Sequence, residues 1–535
     1  MIAGKINFNS VPFLSKKDVS YQTNFDAWTD LAKWSPDIES FSKIIEYRSN
    51  KPIDRALLVE VIEDQYSQLN VHESVNKNIK LLKNDNCFTI VTAHQPSLLT
   101  GPLYYIYKIS SIINLCKTLK ERYSDYDFVP VFVSGGEDHD FDEINHLTVF
   151  NQKYTWERGH DREPVGRLST EGIQDVISSL KEKFKADGDP SEFLDEVLKA
   201  SSSSRSYGEL VKAYTNRLFE KHGLVCLSMD DKKLKGSFTQ LIKKEVFEQV
   251  SVSKVQETQS FIEQKGFKSQ AFARDINFFY ITEENKRCRI EYTDNQFHII
   301  DSSLSFSREE FEGLIDSHPE RFSPNVVMRP IYQEYCLPNL AYVGGGGELA
   351  YWLERKSQFE LFDVSFPILV RRNSVYLLDR SVKRNIGKLD MDVRSFFDDE
   401  HQIIMNYLAE NETEEIDLNA EKDLLKNCFE ALKAKVSLYD KSLSGRIEAD
   451  LAKNIKSFDQ LESRLRKALK DKHQVNIDRI KSVYTKIFPY ASLQERKINM
   501  LEFVQLFGMS IIDKLIDLLD PMDKHFLIID FTEES

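Results

Sequence analysis

The sequence predicts an α/β chain: a parallel-sheet core of the nucleotide-binding kind, interrupted by insertions and followed by a long helical arm. Three observations carry that expectation. A strand-helix-strand pattern runs from Phe88 to Val133. Polar or glycine-bearing turns stand where the candidate strands end. The stretch between Pro367 and Pro489 holds no proline and only two glycines, Gly387 and Gly445.

The β-rich run Phe88–Thr92 breaks at the polar turn Ala93-His-Gln-Pro96. Apolar residues then recur at helical spacing from Leu103 to Lys120, and a second strand, Phe128–Val133, ends in Ser134-Gly-Gly136. This is the βαβ unit of a parallel sheet, whose ligands sit at the carboxyl ends of the strands. Residues 160–215 read as helical with a loop at Ser201–Ser206, before a third strand at Leu224–Leu227. Residues 236–320 mix helix with short strands such as Asn277–Thr282, and a further strand, Phe366–Val370, precedes Arg371-Arg-Asn-Ser374. Without proline, the charged stretch that follows reads as continuous helix. Its apolar positions at 425, 429, 432, 436, 439 and 443 step 4-3-4-3-4, and more follow at 447, 451, 455 and 458. That is a coiled-coil seam, packed either within its own arm or against a second copy, and we expect a homodimer through it. The expected boundaries are a core over 1–384 with insertions at 160–215 and 236–320, an arm over 385–515, and a tail, 516–535, returning to the core.

Composition narrows the function. A formal charge of -14 over 535 residues argues against nucleic acid as the main partner, because phosphate neutralisation needs clustered Lys and Arg. The six cysteines form no C-x-x-C pair and read as reduced, mostly buried thiols. No stretch reaches the apolar length of a membrane span, so the expected address is the cytoplasm, with no membrane partner.

Three clusters can carry chemistry. The first, His94-Gln95-Pro96 through Thr100-Gly101-Pro102, joins a strand end to a helix start, where free backbone N–H groups can face an anion and His94 can donate to developing charge. A plain structural turn is the alternative. The second, Gly136-Glu137-Asp138-His139-Asp140-Phe-Asp142-Glu143-Ile-Asn-His146, crowds five carboxylates and two histidines, which is costly unless cations or solvent separate them. Asp138, His139 and Asp140 are the members expected to point inward, with a solvated acidic loop as the alternative. The third, Gly344-Gly345-Gly346-Gly347-Glu348 followed by Tyr351-Trp352, allows close approach of a ligand to backbone at a helix start. Neither G-x-x-x-x-G-K-[ST] nor G-x-G-x-x-G is present. The three segments should converge on one pocket.

Together these blocks, with Leu493-Gln-Glu-Arg496, resemble the bacillithiol biosynthesis cysteine-adding enzymes, the BshC family. The resemblance implies a Rossmann-like core similar to class I aminoacyl-tRNA synthetases and nucleotidylyl transferases, with two connecting insertions and a dimerising coiled coil. It also implies amide formation between L-cysteine and glucosaminyl malate, the small-molecule substrates of the last step of bacillithiol synthesis. A carboxylate must be activated before an amine will attack it, most simply as an acyl adenylate, so ATP and Mg2+ are the expected cofactors. In that scheme His94, Asp138, His139, Asp140 and Glu348 are catalytic, with Asp138, Asp140 and Glu348 holding an ammonium or taking its proton. Gln95, Thr100, Gly101, Gly136, Glu137, Asp142, Gly344, Gly345, Gly347, Tyr351, Arg371 and Arg372 bind substrate or nucleotide, the two arginines facing the leaving pyrophosphate. Two other readings stay open: a metal-dependent hydrolase using Asp138, His139, Asp140 and His146, and a non-catalytic scaffold.

Overall fold

A computed structural model describes residues 1–159, 162–411 and 418–533. Contacts divide the chain into two units, residues 1–377 with 492–535, and residues 378–491.

The first unit is built on a five-stranded parallel sheet: β1 (Cys87–His94), β2 (Asp127–Ser134), β3 (Val225–Ser228), β4 (Asn339–Gly344) and β5 (Ile368–Arg371), in spatial order β5-β4-β1-β2-β3. All four pairings are parallel, so the strands are covered on both faces and read as β-rich, mostly apolar runs. A helix preceding the sheet is α1 (Lys16–Thr23), and the β1-to-β2 crossover is α2 (Tyr104–Arg122), whose apolar face lies against both strands.

The sheet is interrupted twice. Between β2 and β3 come the short helix α3 (Phe141–Ile144), a hairpin (146–149 with 152–155) and helices ending in α4 (Tyr207–Phe219), around their own core of Trp156, Leu168, Tyr207 and Tyr214. The serine run expected as a loop is helical in its first half: Asp189–Ser203 is one helix and the loop is confined to residues 204–206, while the Ser201, Ser203 and Ser204 hydroxyls donate back to carbonyls of Leu198 and Ala200. Serines that bond the preceding turn can continue a helix that their propensity argues against. Between β3 and β4 lies an antiparallel five-stranded sheet with strands at 278–281, 287–293, 296–299, 305–306 and 322–324.

After β5 the chain forms another strand, Ser374–Leu378, in a sheet with Ile2–Asn7 and His525–Asp530. Residues from Ser492 on belong to the first unit, including helices Leu501–Phe507 and Ile511–Leu518, whereas the sequence places the return at 516. Leu501, Ile512 and Ile516 are buried there, an apolar pattern that reads equally well as arm or core from sequence.

The second unit is helical but not one continuous helix. Asp379, Asp392 and Asp440 accept from backbone N–H groups two or three residues on, so side-chain caps set the breaks that proline would otherwise mark. The expected seam is split between α5 (Asn419–Val436) and α6 (Ser444–Lys472), which form an antiparallel hairpin. Lys422 near its open end bonds Asp459 and Glu462 at 2.7 Å, and Lys433 near the turn bonds Glu448. Leu425, Phe429, Val436, Ile447, Leu451, Ile455 and Phe458 are half-buried along the hairpin, while Tyr439, counted in the heptads, is exposed in the turn.

Candidate functional site

At the carboxyl ends of β1 and β4 a cavity of about 650 Å³ opens, bordered by His94, Gln95, Tyr104, Gly135, Glu143, Arg329, Gly345, Gly346, Gly347, Glu348, Tyr351, Arg372 and Arg496. This is where an open parallel sheet accepts ligands. A second cavity of about 430 Å³ adjoins it across Val326, Arg329 and Tyr351 and is bordered by Asp138, His139, Phe279 and Arg287.

Glu348 sits in the first turn of α7 (Gly346–Leu353), where its carboxylate accepts from the Gly345 N–H at 2.8 Å, the reach-back half of a capping box whose other half a glycine N-cap cannot supply. It also accepts from the Tyr342 hydroxyl at 2.9 Å and from Lys108 Nζ at 2.7 Å. Lys108 lies fully buried on α2 and donates its other bond to the Ala93 carbonyl. Burial works against both charges, yet the ammonium holds the Glu348 carboxyl below the usual range.

His94 ends β1. Its Nδ1 lies 2.8 Å from the Gln95 carbonyl, which can only accept, so Nδ1 carries the proton and Nε2 accepts from the Tyr104 hydroxyl at 3.0 Å. Burial and the neighbouring Lys108 push the imidazole down to about 4, so it is neutral near pH 7. A neutral ring with both nitrogens engaged orients Tyr104 rather than contributing positive charge.

The acidic cluster is partitioned by cations. Glu137 is buried against Lys235 at 2.6 Å. Asp138 faces Arg329 at 3.4 Å and Arg287 at 3.7 Å, and accepts from Gln95 Nε2 at 3.0 Å and the His139 N–H at 2.8 Å. The guanidinium groups hold its carboxyl well below the usual range despite desolvation. Asp138 is therefore an ionised anchor for two arginines, not a base in waiting. His139 Nδ1 lies 3.0 Å from Arg287 Nη1, and His146 pairs with Asn145. Asp140 and Asp142 are exposed and border neither cavity.

Thr100, Gly101, Gly136, Gly344 and Arg371, expected to bind substrate or nucleotide, border neither cavity. Thr100 and Gly101 are buried in a strained turn, with Leu99, Thr100 and Gly101 all at positive φ. The carbonyls of Leu99 and Gly101 accept from Asn499 Nδ2, so this turn anchors the chain's return instead of facing the cavity. Gly136 borders a different cavity, near β3. Arg371 is locked in a buried bidentate pair with Asp18 of α1 at 2.7 and 3.0 Å, whereas Arg372 reaches the main cavity, held by Glu495 at 2.8 Å. Gly344 lies behind the wall, its carbonyl accepting from the Arg372 N–H.

Of the expected segments, His94–Gln95 and Gly345–Glu348 meet in one cavity with Tyr351 and Arg372, and Asp138–His139 border the adjoining one. The residues that sequence reading left out are Tyr104, Lys108, Glu143, Arg329, Glu495 and Arg496. Lys108 had a signal, a charge on the apolar face of the 103–120 helix, and Arg496 stands in the Leu493–Arg496 block. Glu495 stands in that block too, and Glu143 in the acidic cluster, whereas Arg329 had no signal.

The Asp18 carboxylate also explains Gly346. A Cβ there would lie 1.9–2.3 Å from Asp18 carboxyl atoms pinned by Arg371, whereas one on Gly347 meets nothing within 4 Å. Gly346→Ala is expected to cost about 3 kcal/mol in denaturant unfolding, and Gly347→Ala to stay within about 1 kcal/mol of wild type. Equal losses would show that the packing on Asp18 does not constrain this loop.

Comparison with known proteins agrees with the α/β core and the helical C-terminal part. The family description "Bacillithiol biosynthesis BshC, N-terminal Rossmann-like domain" matches residues 1–373, and "Bacillithiol biosynthesis BshC, C-terminal coiled-coil domain" matches residues 375–531. Proteins named "Putative cysteine ligase BshC" are similar over nearly the whole chain. That of Flavobacterium psychrophilum is 39% identical, covering 98% of each chain, and that of Christiangramia forsetii is 38% identical, covering 93% of this chain and 94% of its own. On these matches the chain belongs to the BshC family of bacillithiol biosynthesis.

Proposed function

We propose that this protein joins the carboxyl of L-cysteine to the amine of glucosaminyl malate, forming the amide that completes bacillithiol. Relatives named as cysteine ligases over their full length support the reaction class. The observation that carries the reading is the meeting of Arg372, Arg496 and the α7 start in one cavity at the carboxyl ends of the strands. Amide formation needs an activated carboxyl, and activation leaves a phosphate-bearing group whose charge such cations stabilise.

ATP fits this cavity. Arg496 at its mouth has no carboxylate within 4 Å among the described residues, Arg372 faces inward, and space stands open over Gly347. These residues would hold the phosphates, and ATP would supply the activating group. Mg2+ would arrive with the phosphates, since no group of three His, Cys, Asp or Glu side chains among the described residues is placed to hold a metal. The metal-dependent hydrolase reading is disfavoured by particular contacts: Asp138 and His139 face Arg287, and His146 faces Asn145.

The test is bacillithiol content in cells lacking the gene. Loss of bacillithiol with accumulation of glucosaminyl malate is expected, and normal thiol levels would end the proposal.

We further propose that the hairpin of α5 and α6 joins two copies of the chain. No side chain of α5 is fully buried, and Leu424, Leu432, Leu461 and Leu465 remain 39–70% exposed, apolar side chains that a second copy would cover. Sedimentation at micromolar concentration should show two 62.2 kDa chains, and Leu424→Glu with Leu461→Glu should yield monomer. A wild-type monomer would refute this.

A further inference from the structure

Each buried or inward carboxylate around the main cavity already carries a cation. Glu348 has Lys108, Glu495 has Arg372, and Asp138 has Arg329 and Arg287. Glu143 is the exception. It stands on α3, borders the same cavity beside Gln95 and Tyr104, and has no basic group within 4 Å among the described residues. The other candidate base, His94, has no free lone pair, because its Nε2 already accepts from Tyr104.

We propose that Glu143 is the catalytic base of the ligation, a role that rests on the function proposed above. The amine nitrogen attacks the acyl carbon of a cysteinyl group activated by a phosphate or nucleotidyl leaving group. One C–N bond forms, and the C–O bond to the leaving group breaks with its electron pair on the departing oxygen. The N–H proton passes to a Glu143 carboxylate oxygen and from there to solvent, because this side chain is exposed at the rim. Its surroundings suit the task. Partial burial and the charges of Asp140 and Asp138 raise its affinity for a proton, while a Gln95 hydrogen bond and Arg329 oppose them more weakly. Tyr104 from α2 faces the same space. A base that binds a proton more tightly than an ordinary carboxylate is a better acceptor near neutral pH. Glu348 and Asp138 are shifted the other way.

The test uses the full-length protein with L-cysteine, Mg-ATP and glucosaminyl malate, following the thiol product by mass. Glu143→Gln is expected to lower kcat by about 100-fold or more, with KM for the amino sugar changed only a few-fold, and to remove the acid limb of the pH profile of kcat/KM. Glu143→Asp should keep part of the rate. Hydroxylamine, a nucleophile already neutral near pH 7, should still trap the activated cysteinyl group as its hydroxamate in Glu143→Gln. Retention of amide formation within a few-fold overturns the proposal, and so does parallel loss of amide and hydroxamate, which would mark a structural defect. Inactivity of the wild-type protein on these compounds counts against the proposed function instead. Glu143 is then judged in cells lacking the gene, where a Glu143→Gln copy at wild-type abundance should leave bacillithiol at least tenfold down, and full restoration overturns the role.

Discussion

Glu348→Gln is expected to lower unfolding free energy by about 3 kcal/mol, with near-complete loss of bacillithiol formation. The substitution keeps size but removes the counter-charge of Lys108, whose ammonium is fully buried between α2 and the end of β1. A lone buried ammonium is much costlier than a paired one. A glutamine also offers one acceptor oxygen where the carboxylate meets three donors, from Lys108, Tyr342 and Gly345. Because the Glu348 pKa is lowered on folding, its contribution is complete above the unfolded carboxylate value and disappears as pH falls through the folded one. The acid-side loss of stability should therefore be shallower in Glu348→Gln. Adding Lys108→Met should recover much of the stability, since both charges are then gone, but not the activity, because the cavity wall is no longer charged. Denaturant titrations of the single and double variants measure this. A single variant within about 1 kcal/mol of wild type would show that the pair does not hold the α7 start in place.

The fold was legible where local pattern and tertiary packing agree. Buried parallel strands such as 87–94 and 127–134 are β-rich, mostly apolar runs buried along nearly their whole length, and the helix between them keeps one period throughout. The arm was less legible, because 4-3-4 spacing continues through the Leu438–Leu443 turn, where the Asp440 side chain, accepting from the Ser442 N–H, caps a new turn and overrides it. In the site, the three motif segments were visible as residue types that backbone alone does not explain. Their ion-pair partners were not. Asp18 and Arg371 are 353 positions apart, Lys108 and Glu348 are 240 apart, and Asp138 and Arg329 are 191 apart. No local pattern encodes such pairs, yet they decide which carboxylates are free. That is why Asp138 reads as a base in sequence and as an anchor in structure, while Glu143, unremarked among its acidic neighbours, is the member of the cluster that borders the main cavity without a cation within 4 Å among the described residues.

Asp138→Asn is expected to reduce product formation by about 30- to 1000-fold, the equivalent of about 2 to 4 kcal/mol, although Asp138 is not expected to touch a transferred proton. One carboxylate separates two guanidinium groups. Arg287 is almost fully buried and packs its guanidinium 3.8 Å from the centre of the Phe279 ring, and Arg329 forms the wall shared by the two cavities. Without the charge, the two cations repel across a desolvated gap, and Arg329 and Gln95 lose their shared acceptor. Glu at this position restores charge at the wrong reach, so Asp138→Glu should recover binding of the arginines in part and activity less. The sign of the pH effect distinguishes this role from that of a base. Folding lowers the Asp138 pKa, so its stabilisation is complete above the unfolded value near 4 and is lost only below it. Above the Glu143 limb the wild-type and Asp138→Asn proteins should differ by a constant ratio in kcat/KM, and the limb itself should move to lower pH because the Asp138 charge raises the affinity of Glu143 for a proton, whereas removing the base would abolish the limb. A profile whose acid limb vanishes in Asp138→Asn would assign the proton to Asp138 and take it from Glu143.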